Sequence, residues 1–270
     1  MKFPYDILGN IALVKFKEKT SVKEKERFAN SLLHNNKSIK TVLEKSGRFK
    51  GRLRKQQTRW IAGEKTKEVL YKENGCVFRF NIDKTYFSPR LSNERKEIAQ
   101  KVKAGDSVLV MFAGVGPYGI VIAKNSRAGR VYFNEINKEA NKYAEMNISL
   151  NNVKGKVILL KGDIKNIAKK ISKVWVSVRG TLVPHKFDVI VMPRPQLKDS
   201  FLREAFTLSK KGTRVFYYDF CKEEEIEDIV KRIKKDATKY KKEIKVLNIK
   251  KAGEIAPYKY RIRVDFIVLN

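Results

Sequence analysis

Three glycines and two carboxylates are the residues here whose spacing could do chemistry. Gly114, Gly116 and Gly119 fall in Ala113-Gly114-Val115-Gly116-Pro117-Tyr118-Gly119, a G-x-G-x-x-G spacing. The apolar run Ser107–Met111 precedes it and a helical stretch, Tyr118–Lys124, follows. Glycines at such a turn let the backbone fold tightly and come close to a ligand without a Cβ in the way. Glu135 ends the next apolar run, where a carboxylate can accept bonds from ribose hydroxyls. A dinucleotide would set its pyrophosphate on the helix N-terminus. S-adenosylmethionine has no phosphate, and its carboxylate and amino groups would need the loop instead. Asp163, in Lys161-Gly162-Asp163-Ile164, favours the second cofactor, because an acid after the third strand can accept a bond from the adenine amino group. A methyltransferase, a dinucleotide enzyme and a sheet without cofactor all stay open on this pattern, since a lone glycine fingerprint is weak.

The elements that must position these residues alternate. Strands are expected at 107–111, 130–133, 157–160, 188–192, 213–219 and 261–268. Helices are expected at 92–102, with Ser92 as N-cap, and at 118–124, 138–150, 201–209 and 223–240. Strands alternating with helices imply an α/β, doubly wound, mainly parallel sheet, and runs apolar on both faces fit its buried strands. Before Tyr86 the texture differs: strands are expected around Gly9-Asn10, at 39–43 and at 77–82, with a helix at 23–33. We therefore expect a small α/β domain over 1–83 and the cofactor domain over 84–270.

Composition narrows the partner. Sixty Lys and Arg face 29 Asp and Glu, a net charge of +31 over 270 residues. A chain so charged repels itself when compact, so a polyanion, nucleic acid first, is the expected partner. The 42% hydrophobic content, with 15 Phe and 11 Tyr, supports a real core and excludes a disordered basic tail. Two cysteines, Cys76 and Cys221, and two histidines, His34 and His185, give no metal-ligand spacing and no disulfide framework. No metal is expected, and His185, on a polar loop, is given no role. The start, MKFPYDILGN, is no signal peptide, and no run reaches a membrane span. A cytoplasmic monomer that does not meet a membrane is the expectation.

Two long motifs carry a resemblance. Tyr86-Phe87-Ser88-Pro89-Arg90-Leu91-Ser92-Asn93-Glu94-Arg95 and Met111-Phe112-Ala113-Gly114-Val115-Gly116-Pro117-Tyr118 resemble the tRNA (guanine-N1) methyltransferases that act at position 37, beside the anticodon. Gly51-Arg52-Leu53-Arg54, Ile61-Ala62-Gly63-Glu64 and Ala256-Pro257-Tyr258-Lys259-Tyr260 fit the same family, so the likeness covers nearly the whole chain. It implies a class I (Rossmann-like) methyltransferase sheet behind a small α/β domain, S-adenosylmethionine as cofactor, and tRNA as partner. Four departures stand out. The extra domain with which many members grip the tRNA outer corner is expected to be absent, and the +31 surplus would partly replace it. Val110 stands where an acid is usual, and Asn137-Lys138 replaces Asn-Pro. Met192-Pro193-Arg194-Pro195 stands where Asn-x-Pro is commonest. This Pro-x-Pro form resembles an archaeal bifunctional branch, which also methylates C7 of 4-demethylwyosine to give isowyosine. Loss of the asparagine side chain would widen the pocket for that tricyclic base. The alternatives are aminocarboxypropyl transfer in the same pathway and a tRNA-binding relative without turnover.

The resemblance also assigns roles. Glu94 is the general base for the N1 proton, against the plainer expectation of an exposed helix residue that caps Ser92 or pairs with Arg95. Arg54 would meet charge on O6, or simply hold phosphate with Arg52 and Arg59 in the basic stretch 45–59. Pro193 would shape the transfer pocket, or merely end a strand. Ser88, Arg95, Phe112, Ala113, Gly114, Gly116, Glu135, Ile136, Asp163 and Ile164 would hold the cofactor. Tyr86, Phe87, Arg90 and Arg194 join the substrate side, with core packing the rival reading for the two aromatics. The charged helix after Lys222 is expected to be a solvated face, with its acids near the N-terminus.

Overall fold

The computed structural model describes residues 3–46, 57–173, 176–178, 180–193 and 199–270. A first sheet has the order β1 (Tyr5–Leu8), β2 (Ile11–Val14), β3 (Thr41–Lys45), β4 (Thr58–Gly63). Gly9-Asn10 turns β1 into β2 as expected. A Cβ on Gly9 would lie 1.9 Å from the Leu70 carbonyl oxygen, so only glycine fits. Helix α1 (Val22–Asn35) opens with a capping box between Ser21 and Glu24 and covers one face of this sheet. The other face, with Ile11, Leu13 and Leu43, joins the main core through the hairpin β5 (Glu68–Glu73) and β6 (Cys76–Asn81). That hairpin is bonded to the cofactor half of the chain. Asn147 and Asn151 take the Arg79 and Val77 backbone amides at 2.7 and 2.8 Å and donate back to their carbonyls.

The second sheet has seven strands: β7 (Ser107–Val110), β8 (Arg130–Glu135), β9 (Val157–Lys161), β12 (Phe187–Met192), β13 (Ser209–Lys222), β14 (Ile244–Ala256) and β15 (Lys259–Val268). Their order is β14-β15-β13-β12-β7-β8-β9. The five from β13 to β9 are parallel, and β15 and β14 are antiparallel additions. A small hairpin, β10 (Val176–Val178) with β11 (Thr181–Val183), lies beyond β9 in sequence. Helices α2 (Ser92–Lys101), α3 (Pro117–Asn125) and α4 (Lys138–Leu150) serve one face. Helices α5 (Ile164–Ile171), α6 (Leu202–Thr207) and α7 (Ile226–Lys239) serve the other. In α7 only Ile229, Ile233 and Ala237 are buried, spaced four apart, so its charges form the solvated face the sequence implied. No helix among the described residues is long and apolar enough to cross a membrane.

One expectation needs correction, and one long strand was not expected. Ser92 does not cap α2; it is already helical (φ −57°, ψ −47°), because the 3₁₀ turn Pro89–Leu91 runs straight into the helix. Its hydroxyl instead accepts from the Asn74 amide at 3.2 Å. The strand β14 is an addition to the expected elements. It is charge-rich, lies at the sheet edge, and pairs with β15 through three register shifts, so it shows little alternation.

Candidate functional site

The strand order reverses between β8 and β12 on either side of β7, and ligands in open α/β sheets bind outside the strand ends at such a point. The glycine turn sits there. Phe112 (φ +56°), Gly114 (φ +58°) and Gly116 (φ +92°) all hold left-handed backbone. For Phe112 that conformation is costly, and it is maintained with its ring edge-on to Phe201 at 4.9 Å. Gly119 serves packing rather than the turn: a Cβ there would lie 1.8 Å from the Phe133 ring.

Glu135 ties this turn to the next one. Its Oε2 accepts from the Gly114 amide at 2.8 Å and its Oε1 from the Asn137 amide at 2.7 Å. Each carboxylate oxygen carries two acceptor sites, so these bonds orient the group without exhausting it. Asn137 also caps α4 and donates to the Lys84 carbonyl at 3.0 Å, which joins the segment before Tyr86 to the Glu135 turn. Asp163 caps α5, accepting from the Lys165 amide at 3.0 Å. Ile136 is partly exposed beside Glu135, and Ile164 is buried at the start of α5. Ala113 is buried, and Met111 and Ala113 fasten the turn to β12 and β8 through backbone bonds of 2.9 Å. Val110 is fully buried in the apolar core.

The segment 86–95 packs against the same turn. A Cβ on Gly114 would lie 3.5 Å from the Tyr86 carbonyl oxygen. Phe87 stacks on Phe80 at 4.7 Å and meets Tyr71 and Phe78, so its ring belongs to the aromatic core. Arg95 is 1% exposed and grips Glu73 with Nε and Nη2, at 2.6 Å for Nη2. Its Nη2 also donates to the Ser88 carbonyl at 3.0 Å, and its guanidinium lies over Phe87. The pairing of Arg95 with Glu94 that the sequence allowed is not formed. Arg90 is exposed on the 3₁₀ turn.

Glu94 is buried rather than exposed. Its Oε2 accepts from Arg263 Nη1 at 2.6 Å and from the Tyr218 hydroxyl at 3.0 Å, and its Oε1 meets Lys250 at 2.6 Å. Arg263 and Lys250 both bridge on to Glu97, and Arg263 also grips Asp265. The Glu97 carboxyl is held down to about 2, mainly by its bond from Arg263. Burial works against the Arg263 charge, but its bonds to Glu97 and Asp265 outweigh that and hold its proton tightly. The sequence singles out none of Glu73, Glu97, Tyr218, Lys250 or Arg263, because no local spacing links each to the residue it serves.

Arg59 is exposed on β4, at the exit of the basic stretch. Thr58 beside it donates to Asp83 at 2.8 Å, which brings that exit to the segment ahead of Tyr86. Arg52, Arg54 and Arg194 lie outside the described residues. Pro193 directly follows the last residue of β12 and is half-buried. No cluster of His, Cys, Asp and Glu suited to a metal ion occurs among the described residues.

Residues 69–247 match the TRM5/TYW2 methyltransferase domain model, and residues 2–66 match the TYW2 N-terminal domain. The tRNA (guanine(37)-N(1))/4-demethylwyosine(37)-methyltransferase Taw22 of Nanoarchaeum equitans is 33% identical over 98% of this chain and 99% of its own. The tRNA (guanine(37)-N(1))-methyltransferase Trm5b of Pyrococcus abyssi is 33% identical over 98% of this chain and 74% of its own. The solved structure of that Trm5b superposes with a TM-score of 0.82 at 31% identity, covering 99% of this chain and 75% of the other. The structure of aTrm5 with tRNALeu gives 0.82 at 28% identity, covering 100% and 72%. With its sheet order and glycine turn, this chain belongs to the TRM5/TYW2 methyltransferase family.

Proposed function

We propose that this chain transfers methyl from S-adenosylmethionine to N1 of guanosine 37 in tRNA, and to C7 of 4-demethylwyosine at the same position, giving isowyosine. The observation that carries the reading is the contiguity of two sites. The Gly114–Glu135 cradle and the carboxylate of Glu94 are joined by the packed segment 86–95. The kinship with Taw22 and the match of residues 2–66 to the TYW2 N-terminal domain support the wyosine limb.

The cradle fits the cofactor. Glu135, fixed by two backbone amides, is oriented to accept from ribose hydroxyls, and Asp163 with the Ile164 amide would read the adenine edge. Ile136 would flank the ring. The turn Phe112–Gly116 and Ser88 would face the amino-acid end, with Arg95 acting through the Ser88 carbonyl it holds. The bound cofactor supplies a methyl group on positively charged sulfur. Guanine N1 is a poor nucleophile until it loses its proton, and Glu94 is our candidate to take that proton as the methyl's C–S bond gives way to the new N–C bond, leaving neutral S-adenosylhomocysteine. Charge then grows on O6, the place for a guanidinium, and Arg54 holds that position by motif. Position 37 lies in a loop, so its base can be turned out into the pocket at modest cost. There Pro193 leaves the room that an asparagine side chain would fill. Arg52, Arg59, Arg90 and Arg194 would hold the backbone, with affinity falling steeply as salt rises. Tyr86 would line the base pocket, and Phe87 would support it from the core.

Labelled S-adenosylmethionine tests this with two phenylalanine tRNA transcripts, carrying G or A at position 37. Label in 1-methylguanosine from the G transcript alone is expected. Label in neither transcript, or equally in both, would overturn the assignment. A tRNA bearing 4-demethylwyosine, assayed in parallel, is expected to yield isowyosine.

A further inference from the structure

Glu94, Glu97 and Asp265 share one cluster with Arg263, Lys250 and Lys101. Glu94 is faced by Tyr218 from β13, Arg263 from β15 and Lys250 from β14. Both of its oxygens are taken by cations, so neither is open to a substrate group. The three partners differ in freedom. Tyr218 and Arg263 are 1% and 0% exposed and cannot leave. The Lys250 side chain is 39% exposed and stands on the edge strand. The same hairpin carries Lys245, Lys251 and Lys259, with the Tyr258 ring 78% exposed at its tip. Its bonds to Glu94 and Glu97 hold the Lys250 proton more tightly than usual while the pairs are formed.

We infer that the β14–β15 edge is an RNA-backbone contact and that a phosphate there draws Lys250 away, releasing Oε1 of Glu94. The inference rests on the methyltransferase reading above. Charge complementarity favours RNA: a phosphate replaces the two carboxylates as the partner of Lys250, while Arg263 stays to orient Glu94. Lys250 is then a positioning residue that occupies the base until substrate arrives.

Single-turnover methylation of the G37 transcript at saturating cofactor separates the two ideas. No product from the unaltered chain would defeat the methyltransferase reading itself. With Lys250→Met, the slope of log KM against log salt is expected to shrink by about 0.7–0.9, one phosphate contact. The rate at saturating RNA is expected to rise about two- to fivefold, the effect of no longer parting a half-exposed ion pair. An unchanged KM and salt slope would overturn the inference. So would a fall in rate at unchanged KM, the mark of a lysine that merely orients Glu94. If cofactor affinity or melting shows that this variant does not fold, Lys250→Arg decides. A guanidinium grips two carboxylates as a fork and releases them less readily, so the rate of that variant is expected to drop about threefold or more. A Lys250→Arg rate equal to that of the unaltered chain would contradict the release step.

Discussion

The two halves of the site are held by different means. Around the glycine turn the chain positions itself: Glu135 takes the amides of Gly114 and Asn137, 21 and 2 residues away, and left-handed backbone shapes the cradle. Around Glu94 the hold is made by side chains 124 and 169 residues distant, Tyr218 and Arg263, in a buried ion cluster. The first arrangement suits a ligand of constant shape. The second balances charge among several side chains, and the proposed proton transfer and Lys250 exchange would both draw on it. A rigid cradle beside an adjustable charge cluster suits a reaction with an invariant donor and a large, variable acceptor.

Substitutions can break this contrast at either end. The largest effect is expected for Arg263→Met, which strands Glu94, Glu97 and Asp265 without their shared buried cation. A cost of about 3–5 kcal/mol in unfolding free energy is expected by denaturant titration. Glu135→Ala should leave the fold intact but loosen the turn, since it removes two charge-assisted backbone bonds. We expect S-adenosylhomocysteine affinity by calorimetry to fall by roughly two to four orders of magnitude, at about 1.5–3 kcal/mol for each of the two bonds before any ribose contact is counted. Gly119→Ala forces a methyl into the Phe133 ring and should destabilise by about 1–3 kcal/mol, with Phe133→Leu restoring part of the loss. The smallest effect concerns pH. The Glu97 carboxyl is lowered from the usual 4.5 to about 2, first by its Arg263 bond, so its contribution is complete above 4.5 and lost as pH falls toward 2. Glu97→Gln should flatten the stability profile in that window and leave it parallel to the unaltered chain above it.

Legibility followed the same division. Val108 to Met111, Val131 to Phe133 and Ile190 to Met192 are apolar on both faces because helices cover both sides of the sheet, and such runs announce buried strands. The helix expected at 138–150 has those bounds, its Asn137 cap and apolar spacing being local signals. The cradle is readable for the same reason: its parts are turns and strand ends, where residue type is dictated nearby. The ion cluster is not. In sequence Arg263 is one polar position on an alternating strand, and Lys250 falls between the expected helix 223–240 and strand 261–268. Only the pairing of β15 between β13 and β14 brings both to α2. The motif points Arg95 toward the cofactor, yet its guanidinium is engaged by Glu73, which no spacing rule connects to it.

We propose that cradle and base are separable devices serving one methyl transfer. Glu94→Gln tests it most directly, with S-adenosylhomocysteine affinity and the single-turnover rate on the G37 transcript measured on the same preparation. Affinity within about twofold and a rate lower by about 10²–10⁴, the range of general base catalysis, are expected. A rate within about tenfold of the unaltered chain, with affinity retained, would show that the proton leaves by another route and that Glu94 belongs to the scaffold.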